Sequence, residues 1–402
     1  MKILIVNSLF PPVAGCGGAE KAVMLLSEGL IRRGYEVIVV SLHSAEEEKE
    51  ETDGGVRVYR LPIDNIYWPF PKSHQPSWRR LAWHLRDRWN PKAARRVGRI
   101  LDAEKPDVVN THNLCGFSGA VWREVKRRQI RLVHTMHDYY LVCQRSMLFS
   151  ARGVCTRRCL ECRLLSQSRI RQSRNVDAVI SVSRRTLELH RSHGCFQGVP
   201  GYVVSNIFPA GNLRPPPAPR AGTSGLVFGF IGTLHAAKGI ETLLEAARML
   251  PCVDWRLEIA GAGESGYVQR LQRQYANPRI CWRGFMAADE FYASIDVVVI
   301  PSLWPEPLPY VCVEALHAGK AIVSSDSGGI PEICSLGGRA SIVPAGDSKA
   351  LAAAMTAAIA DARRSKTPDA GSRGNLQQFD EDQVIDRYTD VYFEQSRIES
   401  RC

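Results

Sequence analysis

Two glutamates eight positions apart, Glu306 and Glu314, lie in the stretch PSLWPEPLPYVCVEALHAGKAIVSSDSGGIPE (301–332). An acid in the loop leaving a strand can accept hydrogen bonds from sugar hydroxyls. A second acid on the next helix can grip a vicinal diol such as a ribose. Between them, free N–H groups at a helix start would hold phosphate. Spacing alone fits two acids on a solvated surface equally well. His137 and Asp138, in MHDYYLVC, end a strand run. There the imidazole could donate to a bound sugar or to loop backbone, or simply be a satisfied core histidine. His112, at the end of the preceding strand run, reads as a strand cap.

Four of the twelve cysteines are clustered: Cys143, Cys155, Cys159 and Cys162. Their count and close spacing are those of a structural tetrahedral zinc site. A metal would order the aperiodic segment RSMLFSARGVCTRRCLECRLL, which is long for an unsupported loop. Four free thiols are the alternative, and an iron–sulfur cluster a poorer one. Closed by four thiolates, such a site would be structural. No acidic triplet suggests a catalytic divalent metal, so no cofactor for catalysis is expected. Asp380, Glu381 and Asp382 come closest, but they open a terminal helix, where acids complement the macrodipole.

These residues need elements to hold them. KILIVN, a Gly-rich turn and an amphipathic segment to about Leu30 read as strand, loop and helix. Strand signals recur at EVIVVSL, DVVNTH, RLVHTMHD, DAVISVS and GYVVSN, with helical segments between. This alternation predicts a parallel sheet covered on both faces. Proline and glycine crowd residues 209–225, which can continue neither helix nor central strand. The alternation then restarts at LVFGFIGTL. The reading is therefore α/β, with two doubly wound, Rossmann-like parallel-sheet domains facing a cleft. Residues 1–205 form the first domain, 206–225 the linker and 226–375 the second. Residues 376–402 form a terminal helix expected to pack back on the first domain. Ligands of such sheets sit at the carboxyl ends of strands, beside Gly-rich turns.

The 402 residues carry a net charge of +11. The excess lies wholly in the first half and is densest around 72–174, whereas the second half is slightly acidic. Such asymmetry implies an anionic partner or a solvated basic face. SWRRLAWHLRDRWNPKAARRVGR (77–99) interleaves Trp78, Trp83 and Trp89 with basic residues, which suits an anionic lipid surface and nucleic acid equally. The opening residues lack a secretory signal, and no apolar run is long enough for a spanning helix. The chain reads as soluble and cytoplasmic.

The spacing Glu306-x7-Glu314, with PS before it and EAL-x-AG and GG-x-PE after it, resembles the retaining glycosyltransferases of family 4, which have the GT-B fold. PP-x-AGCGGAE (11–20) is similar to that family's N-terminal Gly-rich loop, and GTLHAAKGI (232–240) to its G-x-L-x3-KG loop. MHDYYLVC resembles an HDYW-like signature of a bacterial branch in which similar cysteines occur. The likeness covers nearly the whole chain.

It implies that Gly17 and Gly18 let backbone approach the diphosphate of a nucleotide-sugar donor, and that Lys238 supplies a cation to it. Thr233 stands where many relatives have Arg. Gly263 (in GAGE), Gly284 and Phe285 (in RGF) fall in donor-contacting turns. Leu308 and Pro309 flank the phosphate-binding helix start, Pro309 in place of a frequent Gly. Glu314 would hold the ribose and Glu306 the transferred sugar, with His137 lining the sugar pocket. The implied reaction is metal-independent transfer with retained anomeric configuration to a saccharide or lipid-linked acceptor, in cell-surface polysaccharide or glycolipid synthesis. Because members of that family often act on lipid-linked acceptors at the membrane, the resemblance favours anionic lipid over nucleic acid at 77–99, with peripheral attachment to the inner face of the membrane and no nucleic acid as a partner. Two alternatives remain at this level: a nucleotide-sugar epimerase or phosphorylase on the same architecture, and a basic zinc-containing nucleic-acid-binding protein. The second explains the cysteines and charge but leaves Glu306, Glu314, Lys238 and Gly18 unused.

Overall fold

A computed structural model describes residues 1–13, 17–70, 75–209, 225–364 and 375–399. Residues 14–16 of the Gly-rich loop and 210–224 of the expected linker lie outside it. The chain divides into two compact units.

The first unit comprises 1–148, 155–207 and 378–402. Its strands are β1 (Lys2–Val6), β2 (Glu36–His43), β3 (Lys49–Asp53), β4 (Val56–Pro62), β5 (Val108–Thr111) and β6 (Arg131–Met136). A two-stranded hairpin, β7 (Phe149–Ser150) and β8 (Gly153–Val154), follows in the chain but groups with the second unit. β9 (Ala178–Ser181) and β10 (Gly201–Val203) complete an eight-stranded sheet of order β10-β9-β6-β5-β1-β2-β4-β3. All pairings are parallel except that of β3, which turns back along β4. The inner strands are apolar on both faces because helices cover both. These are α1 (Gly18–Arg32), α2 (Ser77–Asp87), α3 (Pro91–Glu104), α4 (Ala120–Arg127), α5 (Leu160–Gln172) and α6 (Arg184–Ser192). Asn90 caps α3 by accepting from Ala93 N (3.2 Å), with Pro91 in the first turn where no donor is needed.

The C-terminal helix, Glu381–Glu399, packs on α1 and β6. Val384, Tyr388 and Tyr392 from it join Val23, Leu26 and Leu30 of α1 over Ile3, Ile5, Val37, Val39 and Val133 of the sheet. Each such fully buried side chain is worth roughly 1.5–3 kcal/mol of transfer free energy. Its acidic start meets the basic end of α1: Arg32 bonds Glu381 (2.6 Å) and Arg33 bonds Asp382 (2.9 Å). These exposed pairs set register more than stability.

The second unit comprises 149–154 and 208–377. Its strands are β11 (Leu226–Ile231), β12 (Trp255–Ala260), β13 (Ile280–Gly284), β14 (Val297–Ile300), β15 (Ala321–Ser325) and β16 (Ala340–Val343). They form one parallel sheet, β13-β12-β11-β14-β15-β16. Its helices are α7 (Ile240–Arg248), α8 (Ser265–Gln274), α9 (Ala288–Ser294), α10 (Tyr310–His317), α11 (Ile330–Cys334) and α12 (Ser348–Arg364). The terminal helix described above is thus α13. This strand order reverses between β11 and β14, the switch point at which open α/β sheets bind ligands. In the first unit the order reverses between β1 and β5.

Candidate active site

In the second unit, the loops leaving β11 and β14 meet at the switch point. Lys238 ends a 3-10 turn, Ala236–Lys238, after β11. Glu306 lies in the loop after β14, and Glu314 on α10. Lys238 Nζ donates to Glu306 Oε1 at 2.5 Å, and Ser302 Oγ donates to the same oxygen at 2.8 Å. Lys238 also lies 5.3 Å from the centroid of the Trp304 ring. Glu306 is 4% exposed, so its charge is held by Lys238 and Ser302 rather than by bulk water.

Backbone contacts stitch these loops together. Leu303 N and Trp304 N donate to Ala237 O at 2.8 and 3.2 Å. Gly239, at φ +71°, packs so closely on Pro301 that a Cβ would fall 1.8 Å from its carbonyl oxygen. Gly328, at φ +61°, sits equally tightly: a Cβ there would meet Glu306 O at 2.2 Å. Both positions therefore exclude every side chain. Gly329 N donates to Glu306 O (2.7 Å), and Ser327 Oγ to Trp304 O (2.6 Å). The SSDSGG segment thus braces the Glu306 loop from behind.

Glu314, half-buried, accepts from Tyr292 Oη on α9 at 2.9 Å. Burial and the neighbouring carboxylate hold the Tyr292 phenol well above its ordinary pKa, so it stays a donor. Nothing in the sequence around Tyr292 pointed to this, because the contact spans 22 residues and an intervening strand. Pro309 caps α10 and Leu308 is buried beside it. Thr233 is exposed on the loop after β11, and Gly263 pairs with Leu234 of that loop. Gly284 has φ +67°, and Phe285 after it is 90% exposed.

In the first unit, Gly17 and Gly18 open α1 after β1. Gly17 N donates to Glu20 Oε2 (2.7 Å), so that amide is already taken and the open donors of the helix start come after it. Buried Arg60 anchors the loop from below through Phe10 O (2.9 Å) and Pro11 O (2.8 Å). His112 follows β5 and His137 follows β6. Their rings are nearly parallel (11°), with His112 Nδ1 2.9 Å from His137 Nε2. His112 therefore bonds a histidine rather than capping a strand. Asp138 accepts from Asn113 Nδ2 (2.6 Å) and Tyr140 N (2.7 Å). A recess here is lined by His112, Asn113, His137, Asp138, Tyr140 and His190, among others. Burial pushes Asp138 up to about 7, despite the Tyr140 amide, and pulls His137 down to about 4. His112 is lowered too, by burial and then by the two neighbouring imidazoles. Both rings of the pair are neutral at pH 7.

Among the described residues no three His, Cys, Asp or Glu side chains are grouped as a metal requires. Cys143 and Cys162 are buried and hydrogen-bonded to each other, which lowers the Cys143 thiol to about 5 and raises that of Cys162. Cys159, at the exposed N-cap position of α5, also hydrogen-bonds Cys162, and Cys155 follows the β7–β8 hairpin. That hairpin and α5 supply the local structure around the cysteines. The tryptophans of 77–99 also divide. Trp83 is core, its Nε1 donating to Tyr67 O (3.0 Å), Trp89 is half-buried, and Trp78 is 69% exposed.

Two Rossmann-like units, one with a carboxylate–lysine pair and a second carboxylate at its switch point, define a GT-B glycosyltransferase. Residues 17–206 match the glycosyl transferase 4-like domain and 225–361 match glycosyl transferases group 1, so the chain belongs to the glycosyltransferases. It is 32% identical over 334 residues to an uncharacterized 42.6 kDa protein in the cps region of Klebsiella pneumoniae, covering 83% of this chain and 87% of that one. In fold it is similar to sucrose-phosphate synthase from Thermosynechococcus elongatus, with a TM-score of 0.75 and 18% identity over 99% of both chains. It is also similar to Anabaena HepE in complex with UDP-glucose, with a TM-score of 0.69 and 20% identity over 97% of this chain and 99% of that one.

Proposed function

We propose that this glycosyltransferase moves a sugar, with retention, from a nucleoside-diphosphate sugar to a saccharide or lipid-linked acceptor in cell-surface polysaccharide synthesis. The observation that carries this reading is the Lys238–Glu306 pair on two stitched loops, with Glu314 anchored by Tyr292 beyond it. Lys238 would neutralise the donor diphosphate as it leaves. Glu306 would accept from hydroxyls of the transferred sugar, and Glu314 from the ribose. The helix starts at Pro309 and Gly17–Gly18 would offer backbone donors to phosphate, and His137 an N–H to the sugar. The bond from the anomeric carbon to phosphate breaks as the acceptor oxygen bonds on the same face, and the acceptor proton passes to the departing phosphate. Glu306 orients and does not attack, so no second carboxylate is required, unlike in a retaining hydrolase. The Anabaena neighbour's UDP-glucose and the Klebsiella relative's cps region support this donor class and this setting.

No helix among the described residues is long and apolar enough to cross a membrane. Attachment to the inner membrane face is proposed through α2, which exposes Trp78, Leu81 and Leu85 on one stripe beside Arg80 and Arg86. Purified protein incubated with nucleotide-sugar donors and saccharide acceptors should release nucleotide only when acceptor is present. It should also give a product with the donor's anomeric configuration by NMR. An inverted product would overturn retention, and acceptor-independent isomerisation of the donor would favour the epimerase instead. Binding to anionic but not neutral vesicles, lost in Trp78→Ser/Leu81→Ser, tests the surface.

A further inference from the structure

His137 does not stand alone: a run of side-chain hydrogen bonds leads from it to the C-terminal helix. Tyr392 of α13 is fully buried, and its Oη accepts from Asn110 Nδ2 at 2.6 Å. The same amide nitrogen donates to His112 Nε2 at 3.0 Å, and Thr135 Oγ1 donates to Asn110 Oδ1 at 3.1 Å. Each amide atom thus has its partners, and all four residues are buried. A neutral imidazole has one N–H and one lone pair. With His112 Nε2 accepting from Asn110, the His112 proton must lie on Nδ1, where it points at His137 Nε2, 2.9 Å away. With centroids 5.1 Å apart and rings only 11° from parallel, the geometry accommodates an N–H to lone-pair bond in the ring plane. His137 Nε2 is then an acceptor, and its own proton must be on Nδ1.

We infer that Asn110, held by Tyr392 and Thr135, is a positioning residue: through His112 it fixes His137 as the Nδ1–H tautomer, a permanent hydrogen-bond donor. The C-terminal helix is thereby part of the machinery, although it contributes no group to the reacting atoms. A histidine free to choose its tautomer would present a lone pair part of the time and would then accept from a sugar hydroxyl instead of donating to it. This inference rests on the proposed role of His137 toward the sugar, but the relay and that role fail separately.

The decisive variant is Asn110→Asp, which keeps the shape and reverses the polarity. A carboxylate can only accept, so His112 would carry its proton on Nε2 and offer its Nδ1 lone pair. His137 would then be forced to hold its proton on Nε2. Long-range 1H–15N correlation spectra of the full-length protein labelled in histidine read the tautomer directly, with His137 assigned from a His137→Gln spectrum. The expected result is Nδ1–H in the wild type and Nε2–H in Asn110→Asp. Transfer kcat should fall about 100-fold, as for loss of one transition-state donor, while donor KM stays within about threefold, a split that merely loosened structure would not give. Nε2–H in the wild type overturns the relay, even if Asn110→Asp fails to fold. So does a folded Asn110→Asp protein in which His137 keeps its proton on Nδ1. Full transfer by His137→Ala, with the tautomers as stated, would instead remove the role of His137 and leave the relay standing.

Discussion

Replacing Glu306 with Gln should pull nucleotide binding and sugar transfer in opposite directions. The amide keeps the volume and can still accept from Ser302 Oγ, but it releases Lys238 from a 2.5 Å ion pair. Two unit charges at that distance attract by about 1.7 kcal/mol in water-like surroundings. The lysine side chain is 31% exposed and that of Glu306 6%, so water screens one end of the pair only and this value is a floor. Holding the lysine in one geometry costs side-chain entropy, leaving at least about 1 kcal/mol net. In the unliganded protein a diphosphate must compete for Lys238 against this amount, and in Glu306→Gln it need not. Isothermal titration with UDP, ADP and GDP should therefore show the preferred nucleotide binding at least about fivefold tighter to the variant. The gain should shrink as salt rises, because the diphosphate and lysine are screened. Transfer should fall by at least about 100-fold, since the sugar loses its charged acceptor. Weaker nucleotide binding by Glu306→Gln would refute the competition for Lys238. Undiminished transfer would remove Glu306 from the site.

Tyr292→Phe should unseat Glu314 and raise donor KM about five- to tenfold, about one hydrogen bond's worth, with kcat nearly unchanged, as steady-state kinetics would show. Arg169→Met should destabilise the first unit by about 3–5 kcal/mol, because Asp87 is left charged and buried without its partner 3.3 Å away. Thermal unfolding should show this, and Asp87→Leu added to Arg169→Met should recover much of the loss. Acid should selectively weaken the first unit. Burial lowers His134 to about 3 and His84, His137 and His190 to about 4, below their unfolded value of roughly 6.5. Their neutral folded form is unopposed above that value. As pH falls toward 4 the unfolded chain gains protons that the folded chain cannot, costing up to about 1.4 kcal/mol per pH unit per group. Tryptophan fluorescence melts from pH 7.5 to 5 should show the drop, and a flat profile would contradict these burial effects.

Much of the architecture was readable because parallel sheets advertise themselves locally. A strand buried on both faces is a short apolar run, and the crossover helix between two such strands is long enough to carry its own periodicity. Local chemistry placed Glu306 after a strand, Glu314 on the next helix and Lys238 in a turn, since each depends only on neighbours in sequence. The antiparallel edge strand β3, KEETD, was not readable: it is polar and exposed, and only pairing with β4 makes it a strand. The cysteine spacing suggested metal geometry, but spacing says nothing about where side chains point. The fold brings Cys143 to Cys162, with Cys159 beside Cys162 at the start of α5.

What the sequence alone determined, then, was the repertoire: two doubly wound units, the acids, the lysine, and the histidine at a strand end. What only the tertiary structure decided was pairing. Glu306 with Lys238, Glu314 with Tyr292, and His137 with His112, Asn110 and Tyr392 join residues from separate strands, turns and helices. Distance along the chain carries no information about such contacts, because they arise where parallel strands deliver their carboxyl ends to the same edge of a sheet.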